Sequence, residues 1–320
     1  MSNNISYAVS ETEHGARLDA VTARCSQCGI RTAKRLIADG HVLVNGKIRP
    51  PHFKLVAGSC ITIGEADADP VASPLTVAAV SKEYLAFVKP AGLHTAQIAG
   101  KNTASLEETI ASQWRNIHTA IFEQRNDTIP EVLLPILPDQ INAASAFCTP
   151  LPDKAPSLLS RLDAATSGIV PAATSITAAE KFKKLEAAGH IHKYYLAVIH
   201  GTLEEKITIH NSLDMDNRKK TRVLPKDSPD RTRHTEVFPL GNTGIAPLPD
   251  AEKTLSFVVA CIQRGTRHQI RAHLAHAGFP IFGDALYGEE SEAHNLHLHH
   301  ACLIMPEFSA FCLPTWLPTL

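Results

Sequence analysis

Several things are missing from this 320-residue chain, and each absence narrows what it can be. The opening MSNNISYAVSETEHG has no apolar core behind a basic patch, so no signal peptide is expected. No apolar run approaches the roughly 18–20 residues of a membrane-spanning helix, so no membrane partner is expected either. The seven cysteines are odd in number and scattered, which suits free thiols in a reducing cytoplasm better than a disulfide framework. There is little net charge: the balance of −1 gives no global reason to expect a polyanionic partner. No internal repeat is visible. Strands and helices follow no regular βαβ rhythm, which disfavours a doubly wound sheet and leaves an α+β fold as the expectation. Metal motifs are incomplete. Cys25-x-x-Cys28 has no second pair, and the run His294, His297, His299, His300 has no acidic or cysteine ligand interleaved, so neither is read as a metal site.

What is present is a soluble-type composition, 44% hydrophobic and 20% charged, long enough for one large domain and a small one. Charge is uneven along the chain. Between Gly15 and Cys60 stand Arg17, Arg24, Arg31, Lys34, Arg35, Lys47, Arg49 and Lys54 against only Asp19 and Asp39. A local basic face is all that a phosphate backbone requires, although an ordinary solvated surface would look the same. Within this segment Arg31–Ala38 has helical spacing and stops at Gly40. Arg31, Lys34 and Arg35 share one face, and Ala33, Leu36 and Ile37 can face inward. His41–Val44 reads as a strand, Asn45-Gly46 as a two-residue hairpin turn, and Cys60–Ile63 as a closing strand. The acidic, proline-bearing stretch EADADPVASPLT that follows reads as a linker.

The runs Arg17-Leu18-Asp19, Thr32-Ala33-Lys34-Arg35-Leu36-Ile37 and Gly40-His41-Val42-Leu43-Val44-Asn45-Gly46 resemble the S4 RNA-binding domain. The expected organisation is therefore an S4-like domain over 1–68 and a linker over 69–77. A larger domain over 78–320 follows, with an irregular insertion at about 95–157.

Three segments of the larger domain carry chemistry. The first is Ser160-Arg161-Leu162-Asp163 with Thr166-Ser167-Gly168, a carboxylate at a loop that leads into the apolar strand Ile169-Val170. Alone, such a run is ordinarily a structural pair capping a turn. The second is Lys193-Tyr194-Tyr195, where strand alternation puts Lys193 and Tyr195 on one face and Tyr194 on the other. A tyrosine ring can wall a base pocket, but two tyrosines in a strand more often simply pack. The third is Arg267 to Ala277, read as a helix ended by Gly278. Ile270, Leu274 and Ala277 form its inward stripe, with Arg267 and Arg271 one step off it. A guanidinium at that buried edge needs an anion.

Taken in order, these segments resemble the RluA-type RNA pseudouridine synthases. Lys89-Pro90-Ala91-Gly92-Leu93 and Gly283-Asp284-Ala285-Leu286-Tyr287-Gly288 join the match, which spans about residues 80–305. Two positions depart from the family pattern: Ser160 stands where a histidine is usual, and Thr266-Arg267 places the basic residue one position late. The resemblance implies a mixed, mainly antiparallel sheet with flanking helices. It implies isomerisation of uridine to pseudouridine in RNA, with no cofactor. By the same resemblance Asp163 starts the reaction as nucleophile or base, Arg271 pairs with it, and Tyr195 stacks on the uracil. Arg161, Arg267, His268 and Gln269, with Arg31, Lys34, Arg35 and Lys47 of the small domain, would contact RNA. Ribosomal RNA of the large subunit is the expected target and transfer RNA the alternative, acted on by a monomer. Two rival readings are an RNA-binding protein that has lost catalysis, against which Asp163, Tyr195 and Arg271 all stand, and a retaining glycosidase. The latter needs two carboxylates about 5 Å apart, and no motif marks a second one.

Overall fold

Short apolar runs broken by turn residues give the first unit, Met1–Ser73, many small elements rather than one long one. The computed structural model describes residues 5–26, 28–38, 42–45, 47–63, 75–97, 103–114, 123–124, 127–137, 154–217, 219–240, 254–288 and 295–317. Strands β1 (Ile5–Ala8), β2 (Val42–Val44), β3 (Lys47–Ile48) and β4 (Cys60–Ile63) form an antiparallel sheet in the order β1-β4-β2-β3. Helices α1 (Leu18–Cys25) and α2 (Ile30–Ala38) cover it. Leu18, Val21, Leu36 and Ile37 meet Val42, Val44, Ile61 and Ile63 in one small core. Ala33, Leu36 and Ile37 are buried, as the helical spacing requires. Asn45 takes the left-handed conformation (φ 52°) at the hairpin and its Oδ1 accepts from the Cys60 amide at 2.8 Å, tying turn to sheet. Gly40, His41 and Gly46 lie outside the described residues, as do the side chains of Arg31, Arg35 and Lys47.

The second unit, Pro74–Leu320, is built on one large sheet. Its elements in chain order are β5 (Thr76–Val80), β6 (Tyr84–Lys89), α3 (Leu106–Gln113), β7 (Glu123–Gln124), β8 (Ser157–Leu158), β9 (Ser167–Ala173), α4 (Ile176–Ala187) and β10 (His192–His200). There follow β11 (Ile207–Ile209), β12 (Asn211–Asp214), β13 (Arg222–Asp227), β14 (Thr235–Pro239), β15 (Leu255–Ile262), α5 (Gln269–His276), β16 (Leu298–Met305) and β17 (Phe308–Phe311). The main path runs β11-β14-β15-β10-β16-β9-β6-β5-β7, with β17 beside β16 and β8 beside β9. Among the described residues only the β9–β16 and β5–β7 strand pairs are parallel. The class is α+β, with few helices on a mainly antiparallel sheet. β12 and β13 stand apart as a hairpin.

Strand β10 shows how the sheet separates the site from the back of the molecule. Tyr195, Ala197 and Ile199 enter the core that holds Ala260, Ile262, Ile270 and Leu274, whereas Tyr194, Leu196 and Val198 enter another with Val259, Cys261 and Cys302. The sheet is thus buried on both faces, and the period of two decides which residues reach the cleft.

Four boundaries differ from the sequence expectation. Val77, assigned to the linker, already pairs with Phe87 in β5; residues 64–74 lie outside the described set. The alternation from Lys82 to Val88 reads as a strand in the sequence, but β6 starts at Tyr84, because the Ser81 hydroxyl accepts from the Tyr84 amide (3.0 Å) and holds a turn there. The insertion, which the sequence suggests is a helix followed by irregular chain, carries a 3₁₀ turn at Glu131–Leu133 after the expected helix α3, while residues 138–153 lie outside the described set. The helix expected from Arg267 starts at Gln269, because His268 sits in the left-handed region (φ 56°).

Candidate active site

Asp163 stands on a loop locked from both sides. The Thr95 hydroxyl donates to the Leu162 carbonyl (2.8 Å) and accepts from the Leu162 amide (3.0 Å). The Thr166 amide caps the Asp163 carbonyl (3.1 Å), and Gly92 donates to Ala164 (2.8 Å). Lys89 is fully buried beneath this loop, its ammonium donating to the carbonyls of Pro90, Leu93 and Ala164. Burial pushes Lys89 down to about 8, with the charge of Asp163 opposing the shift. Gly168 then turns the chain into β9. Its φ is +114°, and any Cβ there would fall 2.3 Å from the His300 carbonyl oxygen, so only glycine permits the close β9–β16 approach.

Arg271 projects from the first turns of α5 and is only 8% exposed. Its Nη1 donates to Asp163 Oδ2 at 3.0 Å. Its Nε and Nη2 make a two-pronged contact with Asp284, at 2.8 and 2.7 Å. One guanidinium therefore bridges two carboxylates, using the fork geometry that a lysine cannot supply. Burial pulls the guanidinium down, but Asp284 and then Asp163 outweigh it and hold Arg271 above its ordinary value. Burial likewise pushes Asp284 upward, and the Arg271 hydrogen bond and charge more than reverse that, leaving it below the usual carboxylate range. Asp284 also accepts from the amides of Leu286 and Tyr287, so Gly283–Gly288 is folded around it. Sequence reasoning placed Asp284 in a motif without a role. Its signal was the motif itself, a glycine-flanked acid near the arginine that needed an anion.

A third group reaches the same oxygen. His268 Nε2 lies 3.7 Å from Asp163 Oδ2, with Nδ1 3.1 Å from the Tyr287 hydroxyl. Burial holds the His268 imidazole below its ordinary value, with the charge of Asp163 opposing. The left-handed backbone that ends the expected helix early is what aims this ring at Asp163, a strained conformation of the kind found at working sites. Oδ1 has no hydrogen-bond partner among the described residues and is left to the cleft.

The cleft has a volume of about 650 Å³ and is lined by Arg161, Asp163, Lys193, Tyr195, His268 and Arg271, among others. Tyr195 forms part of its wall, stacked on His300 (centroids 4.5 Å apart, planes at 14°). Burial first, then the charges of Asp163 and Glu186, push the Tyr195 phenol well up, so it remains protonated. His300 is buried, its Nδ1 2.6 Å from the Ile169 carbonyl, and burial pushes it down to about 3. The structure thus gathers Asp163, Tyr195, Arg271, Arg161 and His268 around one cavity.

Arg267 and Gln269, also expected to contact RNA, line the same cavity, and each is tied to neighbouring backbone as well. Gln269 is buried; its amide donates to the Arg233 carbonyl (2.8 Å) and the Thr235 hydroxyl (3.1 Å) and its Oε1 accepts from the Thr266 amide (3.0 Å). Arg267 donates to the carbonyls of Met215 and Asn217, clasping the turn of the β12–β13 hairpin. The late start of α5 accounts for these contacts, since the two residues stand beside and at the first position of the helix rather than along its exposed face. In the first unit Lys34 is half-exposed and 3.8 Å from Asp19.

Comparison with known proteins finds relatives for both parts of the chain. Residues 149–276 fit the RNA pseudouridylate synthase family and residues 16–59 fit the S4 domain. An uncharacterized RNA pseudouridine synthase of Haemophilus influenzae is 30% identical over 169 residues, covering 51% of this chain and 68% of the relative. The ribosomal large subunit pseudouridine synthase D of Neisseria meningitidis serogroup B is 25% identical over 297 residues, 89% of this chain and 67% of that one. The fold is shared with human RNA pseudouridylate synthase domain containing 1, at a TM-score of 0.52 and 18% identity over 77% of this chain and 86% of that chain. The chain belongs to the RNA pseudouridine synthases, isomerases of uridine in RNA, and carries an S4 domain at its N-terminus.

Proposed function

We propose that this enzyme isomerises uridines of large-subunit ribosomal RNA, in the cytoplasm, with Asp163 as the group that starts the reaction. The observation that carries the reading is the Arg271 bridge: a buried guanidinium fixes Asp163 Oδ2 at 3.0 Å and leaves Oδ1 toward the cleft. A fixed carboxylate with one free oxygen suits either attack on the sugar or removal of a proton from it. The reaction breaks N1–C1′, forms C5–C1′ and moves one proton from C5 to N1, so it balances without a cofactor. Tyr195, kept protonated by burial and by two nearby carboxylates, serves as a stacking wall and hydrogen-bond donor rather than a resident phenolate. Arg161 lies exposed at the cleft rim and would meet phosphate, helping hold the target nucleotide out of its stack. Arg267 acts on RNA through the hairpin it clasps. Arg31, Lys34, Arg35 and Lys47 give the S4 unit its grip on the RNA backbone. The Neisseria relative's name supports a ribosomal target, and the buried position of Asp284 behind Arg271 argues against it as the second carboxylate of a glycosidase.

The test is pseudouridine mapping of total RNA from cells with and without the gene. One or more positions in large-subunit ribosomal RNA should lose the modification without the gene. Loss confined to transfer RNA, or no loss at all, contradicts the reading.

A further inference from the structure

Lys193 is the least expected charge in the cleft. It is 3% exposed, shares the Tyr195 face of β10, and lines the same cavity as Asp163. An ammonium offers three N–H donors. Among the described residues its single partner is Glu186, near the C-terminal end of α4, whose side chain is 25% exposed and also lines the cavity. Two donors of a buried ammonium are thus without a partner among those residues, and so is one oxygen of Glu186. Burying an ion pair costs more than its attraction returns unless the remaining donors and lone pairs are satisfied, and packed apolar residues would serve stability at least as well. A pair left half satisfied beside a substrate cavity is therefore better explained by what the substrate brings.

We infer that Glu186 and Lys193 read the imide edge of the target uracil and act as the pivot on which it turns, a role that rests on the functional reading above. The edge offers N3–H as a donor flanked by O2 and O4 as acceptors. A carboxylate beside an ammonium is its complement. Cytosine has a bare N3 and an amino group there and would set a lone pair against Glu186 and an amine against Lys193. The geometry of the reaction adds a second point. To present C5 where N1 was, the ring must turn by half a revolution about the axis through N3 and C6. That turn leaves N3–H in place and exchanges O2 for O4. An acceptor on N3–H and a donor to the flanking carbonyl are therefore matched before and after it. Tyr195 lies two residues from Lys193 on the same strand face, so the wall and the edge contact belong to one rigid strand. The electrostatic influence of Glu186 on the Tyr195 phenol places the carboxylate near the ring. The ammonium also opposes the negative charge the detached uracil carries on its oxygens.

The test uses the full chain and RNA from cells lacking the gene, with pseudouridine formation followed by nuclease digestion and mass spectrometry, and RNA affinity by filter binding. Glu186→Leu and Lys193→Met should each lower kcat about 100-fold, with KM and RNA affinity within threefold of the wild type. Glu186→Gln, which keeps an acceptor for N3–H, should recover at least tenfold of the loss. A purely structural pair would give variants of lowered melting temperature with kcat intact, and no recovery in glutamine. Retention of kcat within threefold in folded Glu186→Leu overturns the inference. So does a Glu186→Gln variant no better than Glu186→Leu. If the wild type itself forms no pseudouridine, the functional reading falls and takes this one with it.

Discussion

The two units of this chain handle positive charge in opposite ways. In the S4 unit the cations stand at the surface while their partners lie beneath. Arg17 and Lys34 are about half exposed and meet Asp19, which is only 2% exposed, and Arg24 is similarly exposed over the buried Glu13. The acids fix the roots of these side chains and leave their outer N–H groups to water or to phosphate. At the cleft of the catalytic unit three cations are withdrawn from solvent. Lys89, Lys193 and Arg271 are buried, and each faces a carboxylate or a set of carbonyls at the cleft. Exposed cations give affinity that is screened by salt; buried ones act on particular atoms and hardly feel salt. The contrast assigns grip to one unit and chemistry to the other.

The strongest way to break this contrast is Arg271→Lys. The charge stays but the fork across Asp163 and Asp284 is removed. Pseudouridine formation should fall about 100-fold or more, roughly the 3 kcal/mol scale of a buried, charge-assisted hydrogen bond, with RNA affinity nearly unchanged. A decrease below fivefold in a single-turnover assay would show that the bridge is not needed.

Asp284→Asn tests the other end of the bridge. It leaves Arg271 with one carboxylate, and unfolding by denaturant should show a loss of about 3 kcal/mol, the scale of breaking a buried pair. Unchanged stability of this variant would mean that Asp163 alone satisfies the guanidinium.

The grip side is tested by deleting residues 1–68. KM for RNA should rise about tenfold while kcat stays within threefold. The dependence of binding on salt should become shallower, by about one unit of slope for each phosphate that is no longer neutralised. Equal binding with the same salt slope would remove the S4 unit from RNA recognition.

The smallest effect is on stability against pH. His300 has a folded value of about 3 against an ordinary 6.5. Between these values the unfolded chain binds more protons than the folded one, so the stability this histidine contributes is complete above about pH 6.5 and is lost as pH falls toward 3. His300→Phe keeps a ring against Tyr195 without titrating and should flatten that slope in melts taken across pH 3–7. An unchanged slope would move the acid sensitivity to another group.

The legible and illegible parts of the sequence divide along similar lines. Periodicity placed Tyr194 and Tyr195 on opposite faces of β10 and buried Ala33, Leu36 and Ile37, because side-chain direction follows directly from backbone repeat. The Asp163–Arg271 pairing, across a sequence separation of 108, was also within reach, since a guanidinium at a buried helix edge has to find an anion. What stayed hidden depends on departures from regular structure. The left-handed His268 delays the start of the helix, turns Gln269 inward and sends Arg267 to the hairpin. No pattern of apolar residues announces one positive φ. The half-satisfied Lys193–Glu186 pair was equally invisible, because it depends on how far α4 is from β10 rather than on either segment alone.

The measurement that bears most directly on the account is pseudouridine content in RNA treated with wild type or Asp163→Asn, at protein concentrations that give equal RNA binding. The substitution is nearly isosteric and keeps a hydrogen-bond acceptor for Arg271, so fold and affinity should hold. Pseudouridine should fall to the level of the untreated control, at least about 1,000-fold below wild type by the roughly 4 kcal/mol that removal of an essential reacting group entails. Activity within tenfold of the wild type would contradict the assignment of Asp163 and with it the site built around Arg271.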